Sequence, residues 1–179
     1  DYPKLLDKGI GGLRSDLQEK LKEQPDNNFY KAGIQCLDIF VDCASHLQQD
    51  ARDQMASADE KRQKELERIC QALENIKEKK PGTFHEAMQL FWLFALLAGV
   101  INYGRLDDYL GPYLVADLKS GRLTDEEAYR YIHSLWTMIE NRRTTVNGRI
   151  IVGGKGRKHP KEADVFLHIA MKVSKNCRY

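Results

Sequence analysis

The sequence predicts a mainly helical fold with one short strand or a few. Three observations carry this. First, the tetrapeptides "SADE", "TFHE" and "TDEE" each place Ser or Thr three residues before Glu. That is the capping-box spacing, which satisfies backbone N–H groups left without partners at a helix start. Second, Ile34, Leu37, Phe40, Val41, Ala44 and Leu47 recur at three- and four-residue steps, the period of one helix face. Third, the best strand candidate is one β-branched run, "RIIVGG" at 149–154, bounded by Asn147-Gly148 and Gly153-Gly154.

In chain order, Asp1 to Lys8 predicts a short helix, broken by Gly9, Gly11 and Gly12. A second short helix follows from Arg14 to Lys22. Pro25 and Asp26 in "EQPDNN" then break the chain into a loop. The periodic segment predicts a helix from Asn28 to about Met55. Ser57 and Glu60 open the next helix, to about Lys79. Thr83 and Glu86 open a strongly apolar helix that runs through Gly99. Asp107 to Lys119 predicts another, closed by Gly121. Thr124 and Glu127 open a helix to about Asn141. A last helix starts near Pro160, a favourable first-turn residue. One strand is not a sheet, so either its neighbours lie outside this chain or the segment is an extended loop.

At 179 residues the chain is long enough for one domain with a real core. Hydrophobic residues make up 42% and charged residues 30%, which is ordinary for a globular protein. Basic residues number 28 and acidic residues 26, so charge gives no push toward nucleic acid or an acidic membrane. The longest apolar run, Leu90 to Ile101, is too short to span a bilayer. Cys36, Cys43, Cys70 and Cys177 form no CxxC pair and stand at no metal-site spacing from a His. This fits a reduced, cytoplasmic setting. The chain opens in "DYPKLLDKGIGGL" without Met and closes inside a periodic helix, "HIAMKVSKNCRY". Both ends point to a piece of a longer polypeptide.

Several features invite chemistry, and each has a plainer reading. "VGGKGRKHP" places glycines between a strand and a helix, where backbone N–H groups can face an anion. Its spacing matches neither GxxxxGK[ST] nor GxGxxG, and a tight turn with a basic surface explains it equally. His85 and His46 lie on helices with apolar faces. Neither has a second His three or four residues away, so no metal is predicted. Asp42, in "LDIFVDCASH", is a site candidate if it faces the packed side of its helix, where a carboxylate needs a partner. It reads otherwise as a solvated or salt-bridged acid. Cys43 beside it reads as a small hydrophobe. In "NYGRLDDYLGPYL" (102–114), Arg105, Asp107 and Asp108 could knot a helix end together, and Tyr103 and Tyr109 could line a cleft.

Four segments, in order, resemble the glycyl radical enzymes, the pyruvate formate-lyase family. "DYPKLLDKGIGGL" is similar to the family's "DY…vL..G..Gl", and "KELERICQALENIKEKKPGTFHEAMQLFW" to its "EL..ia..c..vp..p..tf.EAlQ..wf". "NYGRLDDYLGPYL" resembles "s.GR.Dq.l.P.y", and "TDEEAYRYIHSLWTMI" resembles "l..eeA.ell.clw.k". The likeness covers essentially all of residues 1–179.

This resemblance implies part of a ten-stranded α/β barrel wrapped by helices, with the active site inside. It implies a parent enzyme, a lyase, dehydratase or acyltransferase of the formate acetyltransferase kind. An activating enzyme that uses S-adenosylmethionine and an iron–sulfur cluster places a radical on a glycine. The radical then passes to a cysteine on a Gly-Cys loop and breaks a bond in a small molecule. The chain itself contains no Gly-Cys pair and no "RV.GY" glycine segment, so the resemblance implies no catalytic residue here and an inactive fragment. It places Asp42, Tyr103 and, more weakly, Tyr109 at the substrate, and gives Arg105 and Asp107 a structural role at the barrel mouth. It further implies no bound cofactor, a homodimeric full-length parent and an anaerobic cytoplasm, with neither nucleic acid nor membrane as partner. The competing reading is a helical scaffold or interaction protein derived from the family and without chemistry.

Overall fold

The computed structural model describes residues 1–144 and 148–177. Among them are seven helices and two short strands, so the fold is mainly helical as the sequence predicts. The chain divides into two compact units: Asp1–Pro81 with Met88–Leu97, and Gly82–Ala87 with Ala98–Tyr179.

The first unit opens with α1 (Tyr2–Glu23), started by the Asp1 carboxylate accepting from the Lys4 N–H at 3.2 Å. The glycines do not end this helix. It kinks at Gly9, in the left-handed region at φ 65°, and then resumes, so the two predicted short helices are one bent element. A Cβ on Gly9 would sit 2.6 Å from Lys80 N, and one on Gly11 would sit 2.2 Å from Glu78 O. The glycines thus let α1 lie against backbone rather than interrupt it. In α2 (Asn28–Met55), Asn27 caps the Phe29 and Tyr30 N–H groups, and Phe40, Ala44, Gln48 and Ala51 are buried.

For α3 (Glu60–Ile76) the expected Ser57 cap is replaced by Asp59, whose carboxylate accepts from the Arg62 N–H at 2.8 Å. Asp is as good a cap as Ser and stands next to the first helical residue, whereas the Ser57 hydroxyl lies 3.5 Å from the Gln54 carbonyl. The buried Gln48 side-chain NH2 donates to the Cys70 backbone carbonyl at 2.9 Å, and its Oε1 accepts from Lys77 Nζ at 2.9 Å, so this polar group is satisfied between α2 and α3. Arg14 ties Asp38 at 2.9 Å and Glu78 at 3.0 Å. From α4 (Phe84–Leu97), Leu90, Phe91, Leu93 and Ala95 complete this core. Each large apolar side chain so buried contributes ~1.5–3 kcal/mol.

The second unit takes the first turn of α4. There the Thr83 hydroxyl accepts from Glu86 N–H at 3.2 Å, and the Glu86 carboxylate accepts from Gly82 N–H at 2.7 Å. A further cap comes from elsewhere in the unit, where Asp117 accepts from the Phe84 N–H at 2.8 Å.

Strand β1 (Asn102–Arg105) pairs in parallel with β2 (Arg149–Ile151). The neighbour that the predicted strand required therefore lies within the chain, in a stretch whose Gly and charges hide it. Asn102 pairs with Arg149 and Gly104 with Ile150, which leaves Tyr103 as an extra residue in an irregular register.

Between the strands run α5 (Leu106–Ser120) and α6 (Asp125–Asn141), as a parallel pair needs a crossover. Gly121, left-handed at φ 71°, ends α5, and the Thr124–Glu127 capping box starts α6 with both arms made. Gly111 and Pro112 lie inside α5. A Cβ on Gly111 would meet Glu162 O at 2.8 Å, so this glycine sets how closely α5 approaches α7 (Pro160–Asn176). Leu110, Leu114, Ile132, Leu135, Phe166 and Val173 form the heart of this core.

Candidate functional site

The turn from β1 into α5 gathers several polar contacts of the second unit. Gly104, at φ 61°, lets the strand turn, and Arg105, Asp107 and Asp108 follow within the next four residues. All three reach the loop between β2 and α7. Asp107 is fully buried, and its Oδ2 accepts from the Gly153 N–H at 2.6 Å. Arg105 Nη2 donates to the Gly153 carbonyl, and Nη1 to the Lys155 carbonyl at 3.4 Å. Asp108 Oδ1 accepts from the His159 N–H at 3.0 Å, at the start of α7. The loop is thus gripped by its own backbone at both ends.

Buried charge here is balanced rather than isolated. Arg105 Nε and Arg157 Nη1 each lie 4.0 Å from the Asp107 carboxylate, and Arg157 also pairs with Asp164. A buried carboxylate without such neighbours would be strongly destabilising. Gly153, Gly154 and Gly156 all adopt left-handed backbone, at φ 73°, 79° and 79°. Of the two readings of "VGGKGRKHP", the geometry fits the tight strand-to-helix turn, because the Gly153 N–H already serves Asp107.

Tyr103 is 1% exposed. Its ring faces Gly148, where an added Cβ would lie 2.5 Å from the ring, and its hydroxyl accepts from Arg142 Nη1 at 2.9 Å. Arg142 also donates to the Val100 carbonyl at 2.6 Å. Tyr109, also buried, donates from its hydroxyl to the Tyr103 carbonyl at 2.7 Å. Both tyrosines therefore brace the strand-to-helix turn from inside the unit. Asp42 belongs to the first unit and is exposed on α2, with no ion pair to its carboxylate among the described residues.

The remaining candidates have local explanations. The His46 imidazole Nδ1 lies 2.8 Å from the Asp42 carbonyl, one helical turn back, and His85 stacks on Tyr131 with ring centroids 5.0 Å apart. Cys43 and Cys177 are both half-buried free thiols. Among the described residues, no group of three or more His, Cys, Asp or Glu could hold a metal ion. No helix among them is long and apolar enough to cross a membrane.

Sequence reasoning missed Asp117, Arg142 and Arg157. Asp117 is 4% exposed, and Arg122 donates to it through Nε at 2.9 Å. An acid five residues before an arginine was the only local signal, and its bond to Phe84 spans 33 residues.

The family model described as "Pyruvate formate lyase-like" matches residues 1–179, the whole chain. The isethionate sulfite-lyase of Bilophila wadsworthia is 29% identical over 153 residues, covering 76% of this chain and 18% of that protein. The probable dehydratase YbiW of Escherichia coli is 30% identical over 159 residues, covering 78% of this chain and 19% of that protein. The crystal structure of a glycyl radical enzyme from Archaeoglobus fulgidus superposes with a TM-score of 0.79 at 21% identity, covering 96% of this chain and 26% of that one. The chain thus spans about a fifth of the length of the curated relatives it matches. With the whole chain inside the family match, and the four resembling segments in order, the chain belongs to the pyruvate formate lyase-like family of glycyl radical enzymes.

Proposed function

We propose that this chain is a segment of a glycyl radical lyase or dehydratase that breaks a carbon–heteroatom bond in a small polar molecule. One observation carries the reading: the family match runs over the entire chain, and the named relatives are a sulfite-lyase and a probable dehydratase. Carbon–sulfur and carbon–oxygen cleavage are one kind of chemistry, in which a radical next to a leaving group expels it. Acyl transfer of the formate acetyltransferase kind draws no support from these two relatives.

The radical, installed by an activating enzyme, supplies hydrogen abstraction. The Gly-Cys loop and the radical glycine belong to the rest of the parent, since this sequence has neither. Alone, the chain is inactive. Its own residues contribute a scaffold and substrate contacts. Asp42 is our substrate contact, an exposed carboxylate suited to a substrate hydroxyl or to accepting a proton in a dehydration. Tyr103 and Tyr109, with hydroxyls engaged inside the unit, hold the turn in place of touching substrate. The parent works in an anaerobic cytoplasm, as a homodimer.

The test is anaerobic activation of the full-length parent, followed by an assay of hydroxysulfonates and diols for released sulfite or carbonyl product. Release that needs both the activating enzyme and S-adenosylmethionine supports the reading. A protein that takes up no radical, or a reading frame without a Gly-Cys pair, would make it a scaffold.

A further inference from the structure

We infer that Asn102 and Arg149 together form a binding site for a small oxyanion group, a carboxylate, sulfonate or phosphate. The two residues are register partners at the start of the parallel pair, and both are exposed. Register partners in a sheet present their side chains on the same face. Along β2, exposed Arg149 and Ile151 alternate with half-buried Ile150, so one face of the sheet is left open.

The chemistry of that face is one-sided. Asn102 Oδ1 accepts from the Gly104 N–H at 3.1 Å, which fixes the orientation of the amide and leaves its NH2 group as the part that can act outward. Arg149 makes no ion pair and no side-chain hydrogen bond among the described residues, and its backbone N–H donates to the Ile101 carbonyl at 2.9 Å. The pair therefore offers donors only. Asp107 and Asp164 face Arg157, but no acid pairs with Arg149 among the described residues. Along the sequence, 142 to 161 holds seven Lys or Arg and no Asp or Glu. In a chain with 26 acids against 28 bases, that is a marked local excess.

Parallel strands are as a rule covered on both faces. A guanidinium closed over without an acceptor is costly, so whatever completes the open face must bring one. Guanidinium forks match the planar or tetrahedral oxygens of carboxylate, sulfonate and phosphate groups bidentately. An amide NH2 beside the fork adds a third donor. That the bound group is the substrate's own charged end rests on the proposed lyase or dehydratase reading. The site itself does not.

The experiment measures anion binding to the full-length parent without activation, so that no radical chemistry is needed. Acetate, methanesulfonate and inorganic phosphate are titrated separately at low salt by calorimetry, against the unsubstituted protein and the Arg149→Gln, Arg149→Lys and Asn102→Ala variants. The expected result is saturable binding of at least one anion, weakened about tenfold or more by Arg149→Gln and less by Arg149→Lys. The relative strength of the three anions names the source. Retained binding in Arg149→Gln overturns the inference. So does absence of binding up to about 10 mM, which would mean that a carboxylate of the parent's remaining chain already fills the pair. If Arg149→Gln does not fold, the lysine and Asn102→Ala variants decide by the same criterion. Anion binding by a protein that never acquires a radical would keep this site and remove the lyase reading.

Discussion

The Asp107 carboxylate accepts a hydrogen bond from the Gly153 N–H at 2.6 Å, while Arg105, two residues before it, donates to the carbonyl of the same glycine. One turn of chain thus holds both polar groups of a single residue nearly fifty positions away. Asp107 is fully buried among Arg105 and Arg157. Asp107→Ala is expected to cost about 3–5 kcal/mol, because it removes the buried charge that faces Arg105 and Arg157 and leaves the Gly153 N–H without its acceptor. Asp107→Asn should cost less, about 1–3 kcal/mol. Urea denaturation of both variants checks the order, and equal costs would count against the charge balance.

Gly153→Ala probes the same clasp from the other side. At φ 73° an L side chain is strained, and its Cβ would press on Leu167 at 3.3 Å. A loss of about 1–2 kcal/mol is expected. Gly154→Ala has the same kind of backbone strain but open space around it, so it should cost less.

Asp117→Ala should destabilise by about 1–3 kcal/mol, since it uncaps α4 and frees Arg122. Thr83→Ala should cost about 1 kcal/mol, because it removes only the hydroxyl arm of the same helix start. Thermal melts of the two variants rank them. A larger loss for Thr83→Ala would place the main cap where the sequence alone suggested.

Glu74 gives a pH dependence of known sign. Hydrogen bonds from Lys77 and Gln48 hold its carboxyl below the ordinary 4.5. A depressed folded-state value contributes stability that is present above 4.5 and lost as pH falls through the lower folded value. The effect is modest, because the side chain is 57% exposed and water screens it. Glu74→Gln should lower the neutral-pH melting temperature slightly and flatten its fall over that acid window, so that the two proteins converge in acid. An identical acid limb in both proteins would contradict this.

Asp42 separates binding from folding. Its exposure on α2 predicts that Asp42→Ala changes stability by under about 0.5 kcal/mol. In the activated parent the same change should cut turnover severely. Unchanged turnover would end its role as a substrate contact.

Much of the fold was legible because helix starts announce themselves locally. Thr124 and Glu127 make the box that their spacing promises, and Gly121 ends α5 as the left-handed cap it resembles. What was not legible depended on distant backbone. Gly9 reads as a breaker, yet the segment at Lys79–Lys80 that it accommodates is seventy residues on. The box spacing pointed to Ser57, but Asp59, two residues on and directly before the first helical residue, takes the cap. The direction of Tyr103 was hidden for a sharper reason. The sequence announces no strand at Asn102–Arg105, so nothing in it assigned a facing to Tyr103, whose ring lies against Gly148. The resemblance located the motif; only the packing against Gly148 showed which way its aromatic residue points.

Electron paramagnetic resonance of the full-length parent, after anaerobic incubation with its activating enzyme and S-adenosylmethionine, tests the central claim most directly. The account predicts a glycyl doublet that disappears on exposure to air. A fully folded parent with no such signal would contradict it and leave the chain as part of a scaffold.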